Sequence, residues 1–272
     1  MGVRWSSLFF SGYAKYLLLD KRNQPHTFYL FTNRTFEAGG QHKHFIIMKT
    51  NSEIRQESLA VLKGNWGSGI GATLLYAVIC YAAIFAGIAI ATIIGVVSGT
   101  QEPAMVNLIT QLATLAVSIF VIYPVAFGLM TMFLPFVRSE HKLSATGFSY
   151  AFKAPYYKKS IGVYLLIYIF TFLWTLLLIV PGIIKALSYA LAPYILADNP
   201  QLSANQAIEQ SMKMMKGHKM KFFLIYLGYL GFALLSIVGL CIPLLWLMPY
   251  YLTVFAKFYE EVKSEYNATT AE

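Results

Sequence analysis

The chain has 272 residues, a net charge of +9, and 57% hydrophobic against 12% charged residues, with a mean hydropathy of +0.58. An average soluble domain carries about 25% charged residues, so a water-soluble fold cannot hide this much apolar surface. The positive charge is placed against nucleic-acid binding, and no motif of useful specificity points to a catalyst or a cofactor.

Residues 1–47 mix basic and aromatic side chains without a sustained period. They read as an extension, disordered or supplied by an over-long start, ahead of a polytopic membrane domain at 48–263 and a short tail at 264–272. Within the extension, His26–Phe31 offers a short strand with no evident partner, and His42 and His44 lack the third ligand a zinc site needs. From Ser68 to Ala256 five blocks are almost free of charge: 68–101, 103–137, 160–184, 186–197 and 222–256. A helix crosses the hydrocarbon with about 20 apolar residues. The fold class is therefore an all-α membrane protein of about six transmembrane helices, at 67–98, 104–137, 160–181, 183–197, 220–240 and 242–258. The fourth is short for a full crossing, with a re-entrant or broken segment as the competing reading. Lys185 lies near its end, where snorkelling lengthens its reach.

The helices pair into three hairpins. The second member of each pair ends on a proline and an aromatic, Pro135-Phe136, Pro193-Tyr194 and Pro249-Tyr250, spaced by 58 and 56 residues. Proline removes a backbone donor and kinks a helix, and in lipid the freed carbonyl needs a new partner. Pro135, Pro181, Pro193, Pro243 and Pro249 are the expected helix-break sites. A short amphipathic stretch precedes each hairpin: Ser52–Lys63, Ser144–Lys153 and Ser203–Lys216. The last is the clearest. Ser203 with Gln206 forms a capping box, and Ala204, Ala207, Ile208, Ser211, Met212 and Met215 fall on one face. Ser58-x4-Lys63-Gly64 repeats the pattern of Ser211-x4-Lys216-Gly217.

Charge placement fixes the expected threading. Lys and Arg number nine in 1–67, five in 138–159, four in 212–221 and two in 257–272, leaving only Lys185 elsewhere. With alternating helices, twenty lie on one side and one on the other, so the basic side is cytoplasmic and both termini lie there. Lys213, Lys216, His218, Lys219 and Lys221 follow the third amphipathic stretch and are the candidate contact for anionic lipid or a partner. No Asp, Glu or His sits mid-membrane, so no proton relay or intramembrane protease is visible. Cys80 and Cys241 sit in apolar runs as small apolar residues. Gly67, Gly69, Gly71, Gly87 and Gly95, then Gly228, Gly231 and Gly239, let helices approach closely.

The run Asp198-Asn199-Pro200, Leu202-Ser203-Ala204, Ala207-Ile208, Ser211, Met214-Met215, Gly217-His218-Lys219, Phe222-Phe223, then Pro249-Tyr250 and Phe258-Tyr259, resembles the bacterial integral-membrane family called domain of unknown function 975. Ile54-Arg55 and Leu62-Lys63-Gly64-Asn65-Trp66 are similar to its start. The resemblance covers about 48–263 and implies a multi-helix bacterial membrane protein. It supplies no catalytic residues.

The expectation is thus a multi-pass protein of the bacterial cytoplasmic (inner) membrane with the bilayer as its first partner and no cofactor. Its leading role is non-enzymatic: a scaffold, regulator or partner-binding component that meets anionic lipid or a membrane protein. The alternative is a transporter or channel for a small or amphipathic solute. A lipid-directed membrane enzyme is the third class.

Overall fold

The computed structural model describes residues 48–99, 102–139, 143, 146–153, 156–239 and 242–270, with Phe31–Thr32 and Thr35–Phe36. The sequence reading of His26–Phe31, His42 and His44 falls almost wholly outside these residues, as does Cys241. The chain divides into two compact units, Asn51–Tyr259 and Met1–Thr50 with Glu260–Glu272. In the smaller unit β1 (Phe31–Thr32) and β2 (Thr35–Phe36) form a two-residue antiparallel ladder. In the same unit Lys49 Nζ pairs with Glu261 Oε1 at 2.6 Å.

The larger unit is helical. α1 (Asn51–Leu62) and α2 (Trp66–Val97) are followed by a continuous helical stretch built from α3 (Pro103–Val117), a π-helical turn (Ser118–Ile122) and α4 (Tyr123–Ser139). Next come α5 (Thr146–Ala151), α6 (Tyr156–Leu177), α7 (Ile179–Tyr189), α8 (Ala192–Asp198), α9 (Ala204–Met214), α10 (Lys219–Val238) and α11 (Leu244–Thr270), whose residues from Glu260 onward belong to the smaller unit. Among the described residues five helical stretches are long and apolar enough to cross a membrane: Trp66–Val97, Pro103–Arg138, Tyr156–Leu177, Ile179–Asp198 and Lys219–Val238.

Two boundaries correct the sequence reading. The fourth stretch begins at Ile179, not near 183, and reaches 20 residues. Pro181 causes no break there, because it occupies the first turn of α7, where a missing N–H costs nothing. The expected sixth span is a helix too, but it runs on to Thr270, and it is not among the five apolar stretches. Its apolar run ends at Ala256, yet no Pro or Gly follows to stop the helix.

Proline placement explains the irregular turns. Pro135 and Pro249 lie inside α4 and α11 without ending them, so they are not breaks. Each removes one donor, and the bonds on either side carry the helix on. Pro243 sits in the turn just before α11, and Pro193 in the first turn of α8, after a true break at Ala190 and Leu191. Pro124 was not singled out by the sequence reading. It removes the donor that Phe120 O would receive, and the Tyr157 hydroxyl donates to that carbonyl at 3.0 Å. The π-helical turn lies at this point.

Burial is concentrated at one end of the helices, here termed the basic end. Phe127, Phe133 and Phe136 of α4, Leu191, Ile195 and Leu196 around α8, and Phe258 and Tyr259 of α11 are all almost fully enclosed. At the other end the side chains stand open: Val97 is 82% exposed and Val238 86%. Such aliphatic exposure is unstable in water and natural in hydrocarbon. Two of the glycines noted in the sequence mark close crossings. A Cβ on Gly87 would stand 2.9 Å from Val117 of α3, and one on Gly69 3.0 Å from Pro249. Gly67, Gly71 and Gly231 have open space instead.

Candidate functional site at the basic end

The amphipathic stretches form as helices on the basic end. α1 buries Ile54, Ser58 and Leu62, and α9 buries Ala207, Ile208, Ser211 and Met214. The capping box is present: Ser203 Oγ accepts from Gln206 N at 3.3 Å, and Gln206 Oε1 from Ser203 N at 2.8 Å. The paired Lys-Gly motifs end both helices alike, with φ of +84° at Gly64 and +90° at Gly217, a left-handed conformation that glycine adopts without strain. Of the third stretch Thr146–Ala151 is helical and Phe152 and Lys153 lie past its end, while Ser144 and Ala145 fall outside the described residues.

α9 does more than lie beneath the bundle. Its Ser211 is fully buried and reaches the α7–α8 break. Ser211 Oγ donates to Ser188 O at 2.8 Å and accepts from Leu191 N at 3.2 Å. Both backbone groups belong to the interrupted ladder before Pro193, so one hydroxyl from another helix completes it.

A second polar link joins the ends of α4 and α8 to the middle of α11. Asp198 closes α8, where the helix dipole opposes a carboxylate. Its Oδ2 accepts from Arg138 Nη2 of α4 at 2.7 Å and from Tyr259 OH of α11 at 2.8 Å. Tyr194 stacks on Tyr259 with ring centroids 5.3 Å apart. Lys159 of α6 donates to Pro200 O just beyond Asp198, and Asn51 of α1 donates to Lys221 O at 3.1 Å. The sequence reading assigned no role to Arg138, Asp198, Ser211 or Tyr259. A hydroxyl exactly one helix away from a proline break leaves no spacing signal, whereas Asp198, the acid closing an apolar run, was a visible clue.

The expected contact residues form a rim here. Lys213 and Lys216 are exposed, and His218, Lys219 and Lys221 half-buried. None of the four lysines pairs with a carboxylate among the described residues. Nearby, Glu57, Lys63, Asn65 and Lys257 line an open hollow of about 370 Å³ between α1 and α11. Lys185 lies elsewhere, with its Nζ 4.7 Å from the centre of the Trp174 ring, a cation–π contact that holds the ammonium on α6.

Residues 48–192 and 175–266 match the model of the family described as Protein of unknown function (DUF975). The chain belongs to the DUF975 family. No curated protein and no solved structure matches it. In this DUF975 chain the Pro193 break adjoins a cleft of about 270 Å³, lined by Tyr164, Tyr189, Tyr194, Phe222 and Phe255 among others. Among the described residues no charged side chain lines it, and of the five expected break prolines only Pro193 does.

Proposed function

We propose that this DUF975 chain is a non-enzymatic scaffold, regulator or partner-binding component of a bacterial cytoplasmic membrane. It threads six times as three hairpins, with both termini cytoplasmic, and offers its basic end to anionic lipid or a membrane protein. The observation that carries the reading is the cluster of Lys213, Lys216, Lys219 and Lys221, exposed or half-buried and without acid partners among the described residues. α11 counts as the sixth crossing in this reading. Its Tyr251, Val254 and Phe258 are enclosed by protein, so it needs less apolar surface than a helix facing lipid. The expected span at 242–258 rises about 25 Å as a helix, close to the hydrocarbon thickness of about 30 Å.

The test is co-purification of the full chain in mild detergent, beside a variant with Lys213, Lys216, Lys219 and Lys221 all changed to Gln. The wild type is expected to retain anionic lipid or a protein partner. The variant loses affinity by roughly a thousandfold, at about 1 kcal/mol per lysine. An unchanged set of co-purifying molecules would remove the rim from the reading. Threading is checked by cysteine labelling: Ser98→Cys is expected to react from outside intact cells and Ser149→Cys only after they are opened. Reaction of Ser149→Cys from outside excludes the topology.

A second reading, a transporter or channel for a small or amphipathic solute, draws on the helix break beside the Tyr-lined cleft. The cleft's apolar lining favours an apolar or amphipathic cargo over an ion. Uptake of such a solute into vesicles, in proportion to the protein incorporated, would favour this reading.

A further inference from the structure

Arg55 is an arginine on an interfacial helix that points the wrong way. A basic side chain at a membrane boundary ordinarily extends towards water. Arg55 instead enters the unit. Its Nη2 lies 2.7 Å from where a Cβ on Gly228 would stand, and Tyr251 OH lies 3.1 Å from the same point. Gly228 is nine residues beyond Lys219, the start of α10, or about 13 Å along the axis. The absence of a side chain there makes room for the guanidinium. Tyr251 belongs to a tyrosine cluster between α10 and α11, in which Tyr229 and Tyr251 ring centres are 5.0 Å apart and those of Tyr250 and Tyr251 4.9 Å.

No carboxylate among the described residues answers this charge. Arg55 forms no ion pair, and its buried Nε has no hydrogen-bond acceptor. Glu53 and Glu57 stand two residues either side, positions that face other directions on a helix. An arginine cannot discharge itself by losing its proton; Arg55 is half-buried with its Nε enclosed, and the part of its charge withdrawn from water favours an anionic partner. One turn earlier on the same face, Asn51 Oδ1 is likewise buried without a donor. The place therefore offers fork-shaped donors beside one acceptor. The surface around it is apolar: Leu59, one turn after Arg55, and Leu224, one turn before Gly228, are 47% and 49% exposed.

We propose that Arg55 is the recognition point for the phosphate of an anionic membrane phospholipid. The guanidinium takes two phosphate oxygens at once, Asn51 Oδ1 accepts from a headgroup hydroxyl, and the acyl chains cover Leu59 and Leu224. A free phosphate ion would satisfy the guanidinium alone and leave that apolar surface bare. The site adjoins the lysine rim, since Asn51 also donates to Lys221 O, but it uses none of the four rim ammonium groups.

The full chain in dodecyl maltoside is titrated with phosphatidylglycerol, phosphatidylcholine or inorganic phosphate, reading the melting temperature. The expected result is a saturable rise with phosphatidylglycerol only. In Arg55→Gln half-saturation moves to roughly tenfold higher lipid or more, the scale of one charged hydrogen-bonded contact. Arg55→Lys keeps the charge, loses the fork, and falls between. Gly228→Ala supplies a second variant that keeps every charge and crowds the guanidinium; it weakens the response in the same direction. The rim variant keeps the wild-type midpoint for this phase. Wild-type midpoints in both Arg55→Gln and Gly228→Ala overturn the site, whatever the rim variant does. An equal rise with inorganic phosphate overturns the assignment to lipid.

Discussion

Ser211→Ala is expected to lower stability by about 3 kcal/mol, because it leaves a buried C=O and a buried N–H unpaired at about 1–3 kcal/mol each. At about 2–4 °C per kcal/mol for a chain of this size, the melting temperature in detergent falls by roughly 10 °C. The two groups are Ser188 O and Leu191 N, held by the hydroxyl at 2.8 and 3.2 Å. Water cannot replace it, since Ser211 and Leu191 are both fully buried. The control is built into the repeat. Ser58 occupies the matching place in α1 and is equally buried, but its Oγ bonds only Ile54 O of its own helix, at 2.7 Å. That carbonyl keeps its helical donor when the hydroxyl is lost, so Ser58→Ala is expected to cost under about 1 kcal/mol. Equal melting of the two variants would show that α9 does not complete the α7–α8 ladder. Sequence similarity between the two motifs thus conceals a difference in role that only the break at Ala190 and Leu191 creates.

What the sequence made legible followed from local rules. Apolar length placed the stretches long enough to cross a membrane, and Ser203 with Gln206 announced α9 through a cap that needs only four residues. Glycine after lysine announced two helix ends, because the left-handed turn is a local demand. What it concealed was tertiary. Pro193 announced a missing donor, but nothing in the spacing said that Ser211, 18 residues later, would repair the ladder. Pro124 and its remote partner Tyr157 escaped for the same reason. α11 outruns the expected end near 258 because falling hydropathy does not end a helix. Hydropathy reports the surrounding medium, whereas continuation depends on backbone propensity, and Glu260 to Thr270 contains no breaker. In the candidate site the lysine rim was legible as a charge cluster. Arg55 was not, because a charge on an amphipathic helix reads as facing water until Gly228 is seen to leave room for it.

Asp198→Ala is expected to cost about 2–4 kcal/mol, the range for removing a hydrogen-bonded carboxylate from a partly buried pair. The two partners set where in that range it falls. Tyr259 is 1% exposed and loses its acceptor where water has no access. The Arg138 side chain is 37% exposed, so part of its loss is recovered by hydration. Tyr259→Phe removes only the hydroxyl and is expected to cost about 1 kcal/mol. Because both changes delete the same bond, the double variant should cost less than their sum by about 1 kcal/mol, the signature of direct coupling in a mutant cycle. Strict additivity would separate Tyr259 from Asp198. The loss should also have a distinctive character. Helices in hydrocarbon cannot surrender their backbone hydrogen bonds, so far-UV circular dichroism is expected to stay near wild type while the melting temperature falls. Loosening then occurs between α4, α8 and α11, which this single carboxylate holds together through Arg138 and Tyr259.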